Sequence, residues 1–182
     1  MRSFVKRRVS YPGRAGGIDG DHSIDRSAAV ASIVLRELFI QLHLQQVNLH
    51  SMILKPNMGH FGIAAGMRAT TSEVVEKTVE CLLAAVPAAV SGIAFLSGGQ
   101  IAETATSDLN KIRRCYPQLP WPVPVSYSRA IQQPTLHRRQ GNTKNVAAAQ
   151  ALLIRRLELL VMARTGSYLD TMEETIAAGA SY

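Results

Sequence analysis

One lysine in this sequence stands where it could do covalent chemistry. Met52, Ile53 and Leu54 form an apolar run that predicts a parallel strand covered on both faces, and Lys55 follows directly. Pro56 can neither continue a strand nor allow Lys55 to turn into a helix, so we expect the lysine at the strand's carboxyl end against apolar neighbours. Desolvation favours the free amine, which attacks a carbonyl carbon to give a Schiff base. The alternative is a surface lysine that begins a loop, as most lysines are exposed.

Two other predicted strand ends carry groups suited to an anion. They are Ser97, Gly98 and Gly99 after residues 93–96, and Ser126 and Arg129 in the segment that follows a brief strand near 123–126. Paired glycines allow close backbone approach, free amides at a helix N-terminus attract anions, and the arginine fork matches phosphate oxygens. Because ligands of parallel α/β folds bind at the carboxyl ends of the strands, we expect these groups near Lys55. Taken singly, they also fit an ordinary turn and a solvated arginine.

Helices are predicted between these strands. The predicted helices cover residues 24–44, a segment capped at Thr71 or Ser72 and ended by Pro87, residues 100–115 and residues 145–162. The expected apolar face of the first helix is Ala29, Ile33, Leu38 and Leu42, and that of the helix at 100–115 is Ala102, Ala105, Leu109 and Ile112. A strand is predicted at 47–54, and a polar connection follows residue 131. This alternation predicts an α/β fold with three parallel strands. Three strands are too few to close an eight-stranded barrel, and their sheet would have two open edges.

Composition favours a single α/β domain without a membrane span. The chain has 182 residues, of which 47% are hydrophobic and 18% charged, as is ordinary for a soluble domain. The longest weakly polar stretch, 81–99, is interrupted by Pro87 and Gly92. Cys81 and Cys115 have neither metal-ligand nor disulfide-framework spacing, so we expect a reducing compartment.

The net charge of +7 is concentrated at the N-terminus. Five of the 20 lysines and arginines precede the first acidic residue, Asp19, so the remainder of the chain is nearly neutral. Without a basic stripe interleaved with aromatic residues, nucleic-acid binding is disfavoured. Residues 1–17 resemble a transit peptide in composition or are a tail unrelated to the body. We therefore expect a cytoplasmic protein, or a plastid protein if the basic segment is a targeting signal.

Six ordered stretches resemble the C-terminal part of class I fructose-bisphosphate aldolase. They are IDGDH at 18–22, ILKPNM at 53–58, VPAAVSGIAFLSGGQ at 86–100, PWPVPVSYSRAIQQPTL at 120–136, NVAAAQALLIRR at 145–156 and TGSY at 165–168. The resemblance implies that residues 18–182 form the C-terminal portion of a TIM (β/α)8 barrel, with the C-terminal tail. It also implies a metal-free, homotetrameric lyase of glycolysis that cleaves fructose 1,6-bisphosphate into dihydroxyacetone phosphate and glyceraldehyde 3-phosphate.

The resemblance assigns roles to particular residues. Lys55 matches the Schiff-base lysine, and Tyr182 matches the C-terminal tyrosine of a mobile tail that assists proton transfer. The segments carrying Ser97, Gly98, Gly99, Ser126 and Arg129 match those that hold a substrate phosphate. Where the family has a Glu-Pro-Glu stretch with its acid/base glutamate, this chain has Gly13, Arg14 and Ala15. Two functions follow: an aldolase whose barrel is completed by association or further sequence, or an inactive relative that binds sugar phosphates or another subunit.

Overall fold

The computed structural model describes residues 20–66 and 69–173. The helices are α1 (Ile24–Leu44), α2 (Thr71–Ala85), α3 (Ala102–Cys115), α4 (Arg129–Arg139) and α5 (Val146–Thr165), and the strands are β1 (Ile53–Leu54) and β2 (Gly92–Ile93). Short 3-10 turns lie at Leu49–Ser51, Ile63–Ala65, Thr143–Asn145 and Asp170–Glu173. The basic segment 1–17 lies outside the described residues, so its separation from the body stays a prediction.

The two strands form a parallel sheet whose ladder extends past their assigned ends. Leu54 lies opposite Ile93, and the Leu96 amide donates to the Pro56 carbonyl at 3.1 Å. The strand predicted at 47–54 is shorter than expected, because a 3-10 turn occupies Leu49–Ser51. The sheet's parallel direction and the helix between the strands confirm the α/β class.

A third strand is present as one bridge. Phe95 pairs with Val125 in parallel, and the Ser126 amide donates to the Phe95 carbonyl at 2.8 Å. Pro122 and Pro124 flank this strand and have no N–H to donate, which limits the length of the ladder. The three parallel strands therefore lie in the order of the sequence.

The outer side of β1 is open in the described part of the chain. Ile53 is 63% exposed, whereas Leu54 next to it is 7% exposed. The expectation that this strand is covered on both faces is wrong for this chain. Side chains alternate along a strand, so Leu54 points into the helical layer and Ile53 points to the opposite face, which the described helices leave uncovered.

Helix α3 lies at the centre of the fold. It contacts α2, α4 and α5, and its predicted apolar positions are all buried. The fully buried core around it includes Ile93, Phe95, Leu109, Ile112 and Leu159. Helix α3 therefore packs against three of the four other helices in the described part of the chain.

The apolar face predicted for α1 is only partly correct. Leu35 and Phe39 are buried, Leu38 and Leu42 pack against the core, but Ile33 is 66% exposed and Ala29 is exposed as well. Helix α1 packs mainly on α2, so one row of its apolar residues meets the core and another does not. The sequence contains apolar residues on more than one side of this helix, and spacing alone did not identify the row that packs.

The length and hydropathy of helix α1 bear on the expectation that the chain has no membrane span. Among the described residues it alone is long and apolar enough to cross a membrane, with 17% of the relevant window buried. Length and composition alone are weak support for a membrane span, because the buried core helix of a soluble protein and a signal sequence near an N-terminus satisfy the same criteria. Its contacts with α2 account for the buried residues.

Helix α4 was missed by the sequence analysis, which expected a polar connection there. Its sequence, RAIQQPTLHRR, contains Pro134 in its interior, and only Ala130 is buried. Proline removes one backbone donor and usually breaks a helix, and no apolar stripe compensates for it in the sequence pattern. The helix forms because it packs against α5 and α3.

Candidate functional site

The carboxyl ends of the three strands converge on one edge of the sheet. Lys55 follows β1, Ser97 lies two residues beyond Phe95, and Ser126 follows Val125. Neighbouring strands are about 4.8 Å apart, so the three segments are adjacent in space. The predicted gathering of strand-end residues is therefore present in the backbone.

Lys55 is exposed, which corrects the expectation that apolar neighbours desolvate it in this chain. It lies on the same face of β1 as the exposed Ile53, while Leu54 and Pro56 are buried. Strand alternation and the ladder register also place Ser126 on this face. In a closed barrel the face turned away from the helices lines the interior, so further strands would be needed to cover Lys55.

The Gly-Gly turn, residues 97–100, has a backbone that only glycine adopts easily. Gly98 and Gly99 have φ values of +55° and +93°, in the left-handed region. A Cβ atom on Gly98 would collide with the Asn57 side chain. The Gln100 amide closes the turn by donating to the Ser97 carbonyl at 2.8 Å. The backbone conformation therefore favours glycine at both positions, and at Gly98 the lack of space requires it as well.

Two helices begin at this edge without a side-chain cap. Neither the side chain of Ile101 before α3 nor that of Ser128 before α4 accepts a hydrogen bond from the first amides of the helix that follows. The first amides of a helix have no partner within it, and the helix dipole favours an anion near them. Arg129 is exposed at the first position of α4. The edge thus combines two helix N-termini, the Gly-Gly turn and a guanidinium group.

A buried polar cluster lies behind the Gly-Gly turn and was not predicted. Asp108, on α3, is fully buried and accepts a hydrogen bond from Gln100 Nε2 at 2.5 Å. His60 Nε2 lies 4.0 Å from Asp108 Oδ2. We call His60, Gln100 and Asp108 the buried polar cluster. Its sequence signal was a carboxylate directly before Leu109 in the apolar stripe of α3.

Burial shifts the protonation of both titratable members of the cluster. It raises the pKa of Asp108 to about 7, although hydrogen bonds from Gln100 and Thr71 act in the opposite direction. It lowers the pKa of His60 to about 4, against the contact with Gln100. The histidine is therefore neutral near pH 7, and the carboxyl group is close to its midpoint.

Tyr127 connects the third strand end to the same helix. Its hydroxyl donates to the Ala105 carbonyl at 2.9 Å, and the side chain is buried. Burial raises the pKa of this phenol, so it stays protonated and serves as a donor. This bond holds the segment before Arg129 against α3.

The remaining site predictions concern the C-terminal tyrosine, a metal ion and the two cysteines. Tyr182 lies outside the described residues. Within the described ranges, no group of three or more His, Cys, Asp and Glu residues is placed to hold a metal ion. Cys81 is buried and Cys115 exposed, and both are free thiols.

Comparison with known proteins identifies the relatives of this chain. The family model "Fructose-bisphosphate aldolase class-I" matches residues 17–182. Human fructose-bisphosphate aldolase C is 39% identical over 163 residues, covering 90% of this chain and 45% of its own length. A fructose-bisphosphate aldolase of Plasmodium falciparum (isolate K1 / Thailand) is 41% identical over 150 residues, covering 82% of this chain and 41% of its own length.

The fold has a solved counterpart. A structure of fructose-bisphosphate aldolase from Plasmodium falciparum, in complex with TRAP and a small molecule inhibitor, superposes with a TM-score of 0.80 at 39% identity. The match covers 84% of this chain and 44% of that structure. The chain thus spans less than half the length of the relatives it matches, and its strands and helices correspond to part of an aldolase barrel. It belongs to the class I fructose-bisphosphate aldolase family.

Proposed function

We propose that this chain provides the Schiff-base lysine and the phosphate-binding edge of a fructose-bisphosphate aldolase of glycolysis. The observation that carries the proposal is that Lys55, Ser126 and the Gly-Gly turn share one edge of a parallel sheet. The substrate would be fructose 1,6-bisphosphate, and the products dihydroxyacetone phosphate and glyceraldehyde 3-phosphate. Family membership at about 39% identity supports this reaction.

Lys55 would act through its free amine. The amine nitrogen attacks the substrate's ketone carbon, and loss of water leaves a protonated imine. The bond between the carbon next to the imine carbon and the hydroxyl-bearing carbon beyond it then breaks, and its electron pair moves toward the imine to form an enamine. A general base on the strands that complete the site would take the proton of that hydroxyl as the aldehyde product leaves. Protonation of the enamine and hydrolysis release the ketone product and restore Lys55. This route requires no metal or other cofactor.

The phosphate would be held by the backbone and by one charge. Free amides of the Gly-Gly turn, the first amides of α3 and α4, and the Arg129 guanidinium all lie at the strand-end edge. Ser97 is buried beneath the turn, and Ser126 is exposed on the face of Lys55. This arrangement would separate the groups that bind the phosphate from the Lys55 amine, which forms the covalent bond.

The uncovered interior face is the reason for proposing that other strands complete the site. Lys55 and Ile53 are exposed on a face that a closed barrel would bury. We propose that the missing strands are supplied by further sequence or by association with another subunit, in a homo-oligomer. Tyr182 and its tail would assist proton transfer. The exposed thiol of Cys115 favours a reducing location such as the cytoplasm.

Borohydride reduction and an aldol-cleavage assay test the proposal on the 182-residue chain. Reduction in the presence of dihydroxyacetone phosphate should fix the ligand's mass on Lys55 and not on Lys111, and Lys55→Met should abolish the label while Lys111→Met keeps it. Labelling with turnover supports a working aldolase. Labelling without turnover supports the inactive sugar-phosphate-binding relative, which the Gly13, Arg14 and Ala15 stretch favours. Equal labelling of all lysines would remove the special role of Lys55.

A further inference from the structure

We infer that Asp108, acting through Gln100, is a positioning residue that holds the Gly-Gly turn in its anion-binding shape. The inference rests on the proposed function of that turn as a phosphate site. It concerns a side chain that does not itself reach the strand-end edge.

Gln100 is fastened at both its backbone and its side chain. Its amide N–H donates to the Ser97 carbonyl at 2.8 Å, and its Nε2 donates to Asp108 Oδ2 at 2.5 Å. Asp108 lies in the second turn of α3 and has no exposed surface. The last residue of the turn is therefore tied to the helix that the turn leads into, which restricts the direction in which the amides of Gly98 and Gly99 point.

The other side of the turn is bounded by the segment after β1. Gly98 approaches the Asn57 side chain so closely that no Cβ would fit between them. The Asn57 Oδ1 atom accepts from the Met58 amide at 3.0 Å, so the asparagine is itself held in place. The turn is thus enclosed between Asn57 and the tether to Asp108, and loss of the tether would free it on one side.

The buried polar cluster makes the core less stable than apolar side chains of similar size would. In the part of the chain that the structure describes, the buried atoms His60 Nε2, Gln100 Oε1 and Asp108 Oδ1 have no hydrogen-bond partner. A buried polar atom without a partner lowers stability relative to an apolar side chain of similar size. The carboxyl group at position 108 therefore does not serve core packing best, and its hydrogen bond from Gln100, at 2.5 Å, is its shortest polar contact.

The test compares three substitutions on α3 in the full 182-residue chain. Asp108→Ala removes the acceptor, Asp108→Asn keeps an oxygen acceptor of the same shape, and Ile112→Ala is the control that damages the core of the same helix away from the turn. Ile112 is fully buried. Thermal unfolding of each variant gives its loss of stability, so that binding can be compared at matched destabilisation.

Two measurements follow the turn directly. Calorimetric titration with inorganic phosphate should show an affinity loss of about tenfold for Asp108→Ala, the upper end of the range for one lost neutral hydrogen bond, and little loss for Asp108→Asn or Ile112→Ala. Hydrogen exchange of a peptide covering residues 96–101 should quicken in Asp108→Ala more than in Ile112→Ala, with or without phosphate. Gln100→Ala should reproduce both effects, and the double variant should add little, because one residue acts through the other.

The outcomes separate the two proposals. Faster exchange in Asp108→Ala together with phosphate binding to the unsubstituted chain supports both. Faster exchange in a chain that binds no phosphate supports the positioning role and rejects the phosphate site. Exchange and affinity that change no more in Asp108→Ala than in Ile112→Ala, or effects of Asp108→Ala and Gln100→Ala that simply add, would overturn the inference while leaving the phosphate site intact.

Discussion

Replacing Asp108 by asparagine should stabilise the chain above neutral pH. The folded protein holds the Asp108 proton up to a pKa of about 7, whereas the ordinary value is 3.8. Between these values the folded state binds more protons than the unfolded state, so the free energy of unfolding falls as the pH rises from about 4 to about 7. Above pH 7 the loss is complete. Asparagine does not ionise and therefore avoids it.

The size of the effect follows from the shift. One pKa unit corresponds to about 1.4 kcal/mol, so a shift of about three units sets an upper bound of roughly 4 kcal/mol on the gain at pH 8.

His60, the other titratable member of the cluster, changes the free energy of unfolding with the opposite sign. His60 has a pKa of about 4 in the folded protein against 6.5 ordinarily, so it lowers stability as the pH falls from 6.5 to 4. The two slopes oppose each other between pH 4 and 6.5, and Asp108→Asn should leave only that of His60.

Urea unfolding at pH 4 and pH 8 measures this difference. Trp121 is the chain's single tryptophan and is buried, so its fluorescence reports the transition. Protein concentration must be equal throughout, because association shifts apparent stability. Glu37→Gln removes an exposed carboxylate and serves as the control. A stability difference between Asp108→Asn and the unsubstituted chain that is the same at both pH values would refute the reasoning.

Three further predictions concern the strand-end edge and the open sheet. Gly98→Ala should weaken phosphate binding in calorimetry, because the new methyl group collides with Asn57; Gly141→Ala, with similar positive φ but open space, is the control and should bind normally. Arg129→Ala should weaken dihydroxyacetone phosphate binding by roughly 1.5–3 kcal/mol, and unchanged affinity beside an Arg26→Ala control would reject its role. The purified chain should associate in size-exclusion chromatography, because the described residues leave a sheet edge and the apolar interior face open; a monodisperse monomer with one cooperative thermal transition would contradict this.

The sequence predicted the features that depend on local pattern. The apolar spacing of α3 identified its buried face, and the position of Lys55 after an apolar run identified a strand end. Glycine pairs and prolines marked the turns because their backbone limits are intrinsic to the residue. These signals need no knowledge of what lies across the fold.

The features that failed depend on tertiary context. Pro134 concealed α4, which forms through contacts with α3 and α5. The exposure of Lys55 depends on which strands lie beside β1, and no residue near Lys55 encodes that. The hydrogen bond between Gln100 and Asp108 joins a residue before the start of α3 to one within it. The only sequence signal for this bond was the carboxylate of Asp108 among the apolar residues of α3.

The order of the strands has a consequence for how the chain could be assembled. Each strand pairs with its neighbour in sequence, so the ladder grows by one strand and its helices at a time. Among residues 20–66 and 69–173, the side of β1 away from β2 has no strand paired to it, and a strand docking there need not disturb any existing pair. Such a fold lends itself to fragment complementation: a separately produced polypeptide carrying the preceding strands could bind at that side and fold against this one.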